Sequence, residues 1–495
     1  MNRVFKSKWS VAHQEYVVTD ENHRSRGKAA KSAVALAVTA LMLGAGAASA
    51  AYVDPGFVAK NSSQFAEAVT SWETPEYQKD WGLTALNAST AYALGYTGKG
   101  IAVGIMDSGA LMQIHPDLTG DRFHAVKVPG QSYGSSGDRY PQHTDGNLGH
   151  YEPGAAVPES GEWQKGVNDT HGTHVTGTVG GNRDGSEFHG VAWGADVYVG
   201  NTGGTDDTNY GPFEDPQYFY QGWSAIAKAV SDANRFSDGT TRGGFINNSF
   251  GTNMRVKDNG SKGPDGGNTG VHFKTNTASE TEYEYFLFQQ DAKNRVNTDS
   301  HWNGRSFVDA AYEAVKDEKV VQVFTTGNRD FANPFYRPLY PYFNPEAEQN
   351  WVAVAAMKQA DDGSYTLYST LNEAGEAKWW TVAAPGRAIY SSITDDDGNL
   401  SYALFSGTSM AAPHVTGALT VLMQRYDQMD ALQVRDVMLT TATHKNGDAD
   451  FDGWTAADGE VDARYGWGMP DLKKGMYGIG QFLGKFDYNM RAGSL

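Results

Sequence analysis

The run IAVGIM, residues 101–106, is apolar without polar alternation and ends abruptly in Asp107-Ser108-Gly109. A strand of this kind is buried on both faces, as in a parallel sheet covered by helices, where functional groups collect at the carboxyl ends of the strands. The pattern recurs in VAWGADVYVGN (191–201), GFINNSFG (244–251), KVVQVFTTGN (319–328) and NWVAVAAMK (350–358). Between these runs, WSAIAKAVSDANRF (223–236) and SFVDAAYEAVKDE (306–318) carry helical periodicity. WGLTALNASTAYALGYTGKG (81–100) reads as a short helix and a glycine turn, and TDDDGNLSYALFSG (394–407) as a hairpin leading into a further helix. Strands and helices alternating at this spacing predict an α/β fold: a doubly wound, mostly parallel sheet with helices on both faces. Two intervals fit poorly, about 119–168 and 252–304, and read as surface insertions; loops this long in a compact domain are commonly functional.

The N-terminus speaks to destination. Lys28 and Lys31 precede the apolar run AVALAVTALMLGAG, and Ala48-Ser49-Ala50 supplies a small-residue cleavage site, so residues 1–50 read as a secretory signal peptide with Ala51 the mature start. The opening MNRVFKSKW resembles the extended signal peptides of Gram-negative autotransporters. The leader holds seven of the 40 basic and three of the 58 acidic residues, which leaves 33 against 55 for the mature part. So acidic a surface disfavours nucleic acid and anionic lipid and favours solubility outside the cell. With no cysteine in the chain, disulfides and thiolate chemistry are excluded.

Three short blocks carry the chemistry. VGIMDSG places Asp107 at a strand end, DTHGTHVTGTVGG places His171 at the head of a small-residue helix, and GTSMAAPHVTG places Ser409 at the head of another. Each alone is an ordinary turn or cap. Together, in the order Asp, His, Ser, they have the makings of a hydrolytic triad, and the order is not that of G-x-S-x-G hydrolases, where histidine comes last. Pro413, four residues after Ser409, cannot donate the amide that would bond the Ser409 carbonyl, so the first helical turn is expected to be loose.

All three blocks, with their small flanking residues, resemble the subtilase family over roughly Trp81–Lys474, and the leader points to the subtilase passengers of autotransporters. The resemblance implies a secreted serine endopeptidase. Ser409 is then the nucleophile, His171 the general base and acid, and Asp107 the group that orients the imidazole. Asn328, in VFTTGNRD, becomes the oxyanion donor together with the Ser409 amide. Ser249, Phe250 and Gly251 resemble the family's edge strand for an extended substrate, with Gly203 and Gly204 pairing from the other side. Phe250 stands where an aliphatic residue is usual, which points to a narrowed or more aromatic pocket and to hydrophobic residues before the scissile bond. His115, in HPDL, and His414 read as structural. His174 lies three residues beyond His171, but without H-E-x-x-H a metalloprotease is disfavoured.

No cofactor is expected for catalysis. A structural calcium ion is the open question: Asp448, Asp450 and Asp452 precede Gly453 as in an EF-hand-type loop, with Asp458 or Glu460 closing it, and an acidic surface turn is the alternative. The expected organisation is a leader (1–50), an N-terminal extension (51–80), the peptidase domain (81–475), and the start of a linker (476–495). The partners are protein or peptide substrates and an outer-membrane β-barrel translocator outside this chain. Either the sequence is a fragment or that barrel is a separate polypeptide. Two alternatives stand beside foreign-protein digestion: a maturation protease acting on itself or on other surface passengers, and a non-catalytic adhesin on the same fold.

Overall fold

The computed structural model describes residues 54–127, 160–165, 168–202, 216–250, 300–328, 330–395, 397–457 and 459–478, with the backbone alone of 6–10 and 15–19. The strands that build the core are β1 Ala102–Asp107, β2 Phe123–Ala125, β3 Asp196–Asn201, β4 Gly244–Asn248, β5 Val320–Thr325, β6 Trp351–Gln359, β7 Tyr365–Leu367, β8 Thr381–Pro385, β9 Ile389–Thr394 and β10 Leu400–Ser406, beside the short strands Lys6–Ser10, Glu15–Thr19, Lys445–Asn446 and Ala449–Asp450. The central sheet runs β8-β6-β5-β4-β1-β3-β2, parallel at every step. β7 adds to β6 antiparallel, and β9 and β10 pair antiparallel in a second sheet, where Glu15–Thr19 joins β10 in parallel and Lys6–Ser10 follows it.

The apolar runs have no alternation because both faces of the sheet are covered. On β1, Val103 and Ile105 join one apolar layer while Ala102 and Met106 join the other. On β5 the same split separates Val321 and Val323 from Val320 and Phe324. The first layer receives Val175 and Val179 from α4 (His171–Gly180) and Val415 and Leu419 from α7 (Thr408–Arg425). The second receives Trp223 and Ile226 from α5 (Pro216–Ala233) and Phe307 and Val308 from α6 (Phe307–Glu313). Full burial of each such side chain contributes about 1.5–3 kcal/mol, so the central strands are held from two sides.

Several boundaries differ from the sequence reading. α5 begins at Pro216, seven residues before Trp223, and proline is well suited to a first helical position. Within 81–100, Asn87 adopts a left-handed conformation (φ 56°) and splits the segment into α2 (Trp81–Ala85) and α3 (Ala88–Ala93). β2 falls inside the interval read as a first insertion, and residues 161–163 return to pair with Ala110 there. The second interval lies almost wholly outside the described residues. The N-terminal extension is built into the domain: α1 (Phe65–Trp72) buries Trp72, and Asp54 makes a two-pronged ion pair with Arg183.

The sheet order changes direction around β1, whose neighbours are β3 and β4. In open α/β sheets such a switch point, at the carboxyl ends of the strands, opens the crevice in which ligands bind.

Candidate active site

Three consecutive strand ends supply three of the expected residues. Asp107 closes β1, Ser249 follows β4 and Asn328 lies three residues beyond β5. Helices that return over a parallel sheet begin near those ends, and His171 and Ser409 stand in the first turns of α4 and α7, which pack against each other. The fold thus gathers Asp107, His171, Asn328, Ser249 and Ser409 at one edge of the sheet. Gly251, Gly203 and Gly204 lie outside the described residues.

Asp107 is fully buried and its Oδ1 accepts from the Ser108 amide (2.8 Å) and from His171 Nδ1 (2.8 Å). With Nδ1 donating, the basic nitrogen of the neutral ring is Nε2. Burial alone disfavours charging His171, but the Asp107 carboxylate, by its charge and its hydrogen bond, and the nearby Asp169 more than offset this. The pKa is raised above the usual 6.5.

Asp169 and Ser108 fix where the ring can stand. Asp169 Oδ1 accepts from the His171 amide (2.8 Å) and from the Ser108 hydroxyl (2.6 Å), and that hydroxyl accepts from the Gly172 amide (2.9 Å). Two amides that open α4 are thereby satisfied, and the helix is tied to the turn after β1. Gly172 makes the approach possible, because a Cβ there would strike the carbonyl of Gly109. Sequence reasoning passed over both residues, although an aspartate two positions before a helix-opening histidine is itself a capping signal.

Asn328 is oriented by the residue before Ser409. Its Oδ1 accepts from the Thr408 amide (2.9 Å) and the Thr408 hydroxyl (2.8 Å), and that hydroxyl accepts from the Gly327 amide (3.3 Å). An amide nitrogen can only donate, so Oδ1 must face Thr408 and Nδ2 the opposite side. Ser249 turns its hydroxyl to the carbonyl of Ser409 at 2.8 Å. Phe250 is buried with Phe219 and Trp223 in the second apolar layer, with ring centroids 6.0 and 6.5 Å away.

His174, His115 and His414 have structural surroundings. His174 is stacked on Phe405 and donates from Nε2 to the Ile389 carbonyl (3.0 Å); burial drives its pKa down to about 3, so it stays neutral. His115 donates from Nε2 to the Ser401 carbonyl (3.0 Å). His414 is buried and lies 2.9 Å from Asp80.

Lys445–Asn446 and Ala449–Asp450 form a two-stranded hairpin, which puts Asp448 in the turn and engages Asp450 with His444 (3.2 Å) and Lys445 (3.5 Å). Asp448, Asp450 and Asp452 are all exposed, and among the described residues no group of three or more acidic, histidine or cysteine side chains could hold a metal ion. Asp458 lies outside the described residues.

A parallel α/β sheet with an aspartate–histidine bond at its switch point, and a serine at the head of a helix packed against the one that carries the histidine, defines a class of hydrolase scaffold. Residues 98–468 match the subtilase family, and the chain belongs to it. Residues 1–50 match the extended signal peptide of the type V secretion system, so the chain is exported toward the outer-membrane surface or the extracellular space. An extracellular serine protease of Serratia marcescens is 30% identical over 463 residues, 88% of this chain and 37% of that protein. The Neisserial autotransporter lipoprotein NalP of Neisseria meningitidis serogroup B is 24% identical over 80% of this chain and 34% of its own length. Subtilisin BL of Lederbergia lenta is 24% identical over 73% of this chain and 91% of its own. The chain therefore spans little more than a third of the length of the two exported relatives.

Proposed function

We propose that this chain is a secreted serine endopeptidase that cleaves peptide bonds in proteins through an acyl-enzyme. Ser409 Oγ attacks the scissile carbonyl carbon while its proton passes to His171 Nε2. The imidazolium so formed is stabilised by Asp107, which also holds the tautomer. The oxyanion of the tetrahedral intermediate accepts from Asn328 Nδ2 and from the Ser409 amide, at the positive end of α7. His171 then gives its proton to the leaving amine, and water repeats the sequence to release the acid product.

The observation that carries this reading is the 2.8 Å bond between His171 Nδ1 and buried Asp107, which leaves Nε2 basic. The orientation of Asn328 by Thr408 supports the oxyanion role. These steps draw on side chains and backbone alone. An extended substrate adds as a strand beside Ser249–Phe250, through main-chain hydrogen bonds. Because the Phe250 ring is buried in the core, that stretch offers chiefly its backbone. An outer-membrane translocator is the expected partner in export, in keeping with the autotransporter relative.

Fluorophosphonate labelling of the purified protein tests the reading. Adduct at Ser409, absent in Ser409→Ala and accompanied by casein or peptide-library cleavage, is the expected result; a protein that neither labels nor cleaves would overturn it.

A further inference from the structure

The carbonyl of Ser409 cannot be satisfied in the ordinary helical way. Its partner should be the amide four residues on, but that residue is Pro413, which has no N–H and whose ring crowds the carbonyl it faces. The carbonyl belongs to a buried residue, and an unmatched buried acceptor is costly. In the structure the missing donor comes from another element: Ser249 Oγ, just past the end of β4, donates to Ser409 O at 2.8 Å.

The donor's orientation is forced along a chain of buried groups. A carbonyl only accepts, so the Ser249 hydroxyl must spend its one proton on it. The group facing the Ser249 oxygen from behind must then donate, which assigns Asn247 Nδ2, 2.8 Å away. Asn247 Oδ1 in turn faces Thr416 Oγ1 (3.0 Å), on α7 itself, a hydroxyl whose single proton is shared with the Ala412 carbonyl (3.1 Å). Asn247, Ser249 and Thr416 are each fully buried, so no solvent competes for these bonds. The relay leaves α7 at Thr416, crosses to β4 and returns to α7 at Ser409.

We infer that Ser249 is a positioning residue for the nucleophile, its hydroxyl replacing the helix hydrogen bond that Pro413 deletes and tying the Ser409 main chain to the strand end that receives the substrate. The role rests on the peptidase reading proposed above. Tied in this way, the nucleophile's peptide takes its position from the substrate-binding strand rather than from its own helix. The distance from Oγ to the scissile carbon, and the direction of the Ser409 amide toward the oxyanion, then follow the strand. Reaction rates are steep in such placement: an error near 1 Å costs on the order of 10²-fold.

The test is a double-substitution cycle in the full mature protein, with kcat and KM measured on a peptide substrate. Ser249→Ala should lower kcat by about 10- to 100-fold with KM changed by less than about threefold, because binding through the strand backbone survives. Pro413→Ala restores an N–H within reach of the Ser409 carbonyl. In the double variant kcat should therefore recover at least about fivefold over Ser249→Ala, a coupling independent sites would not show. If Ser249→Ala does not fold, Ser249→Cys, with a weak donor of similar shape, carries the same cycle. A Ser249 variant with unchanged kcat, or a loss that Pro413→Ala leaves untouched, would overturn the positioning role while the peptidase reading stands. An inert wild-type protein that also fails to label with fluorophosphonate would overturn both.

Discussion

His414 Nε2 lies 2.9 Å from Asp80 Oδ2, and the same ring's Nδ1 lies 2.8 Å from the Met410 carbonyl. Both partners accept, so both ring nitrogens carry protons and His414 is an imidazolium paired with a carboxylate inside the protein. Burial opposes that charge, but Asp80, through its charge and its bond, and the Met410 carbonyl more than offset it, and the pKa is raised above 6.5. The pair joins the N-terminal segment to the helix that carries Ser409. Its fit is close: a Cβ on Gly82 would collide with the imidazole.

Removing one partner of a buried pair leaves the other uncompensated, a loss of about 3–5 kcal/mol. Asp80→Asn is the informative variant, because an asparagine oxygen can still accept from the Gly82 amide, the capping bond of α2 (2.9 Å). A folded-state pKa raised above the unfolded value stabilises fully below the unfolded pKa, and that stabilisation is lost as pH rises through the folded pKa. Urea unfolding should therefore show a large deficit for Asp80→Asn at pH 5.5 that narrows toward pH 9. A deficit independent of pH would mean that His414 is neutral.

The elevated pKa of His171 governs activity with the opposite outcome, since the base must be neutral to accept the Ser409 proton. The acid limb of kcat/KM should have its midpoint above 6.5. Asp169→Asn removes one of the charges that raise it, yet keeps an oxygen for the Ser108 hydroxyl and the His171 amide. Its midpoint should move to lower pH while the melting temperature changes little. A pH–rate profile for the two proteins decides, and coincident midpoints would exclude Asp169 from the electrostatics of the base.

What the sequence revealed follows the range over which each signal acts. β1 and β5 were legible because burial on both faces removes alternation, a property of six adjacent residues. The order Asp107, His171, Ser409 was legible because each side chain sits in a local frame of small residues. The three-residue edge strand Phe123–Ala125 was not, since an edge strand needs no continuous apolar run. Asp80 with His414 was hidden for another reason: 334 positions separate them, and nothing local marks aspartate 80 as more than a helix cap. Ser249 was legible by its strand, but its hydroxyl was not, because the vacancy it fills arises from Pro413 on a different element. The Asp448–Asp452 spacing does not by itself separate a hairpin turn from a calcium loop, because the two share the same turn-forming residues.

Asn328 offers the sharpest separation between binding and chemistry. Its Nδ2 is proposed to meet charge that exists only in the transition state, so Asn328→Ala should lower kcat by on the order of 10²–10³ with KM nearly unchanged. Thr408 acts on it at one remove, through the two bonds that hold Oδ1. Thr408→Val keeps the amide bond and the shape but deletes the hydroxyl, so the carboxamide is held by one contact instead of two. A net hydrogen bond near 1.4 kcal/mol corresponds to about tenfold, and that is the expected fall in kcat for Thr408→Val. Combined with Asn328→Ala it should cost little more, since there is no longer a carboxamide to orient. Full additivity in steady-state kinetics would show that Thr408 affects the reaction by another route.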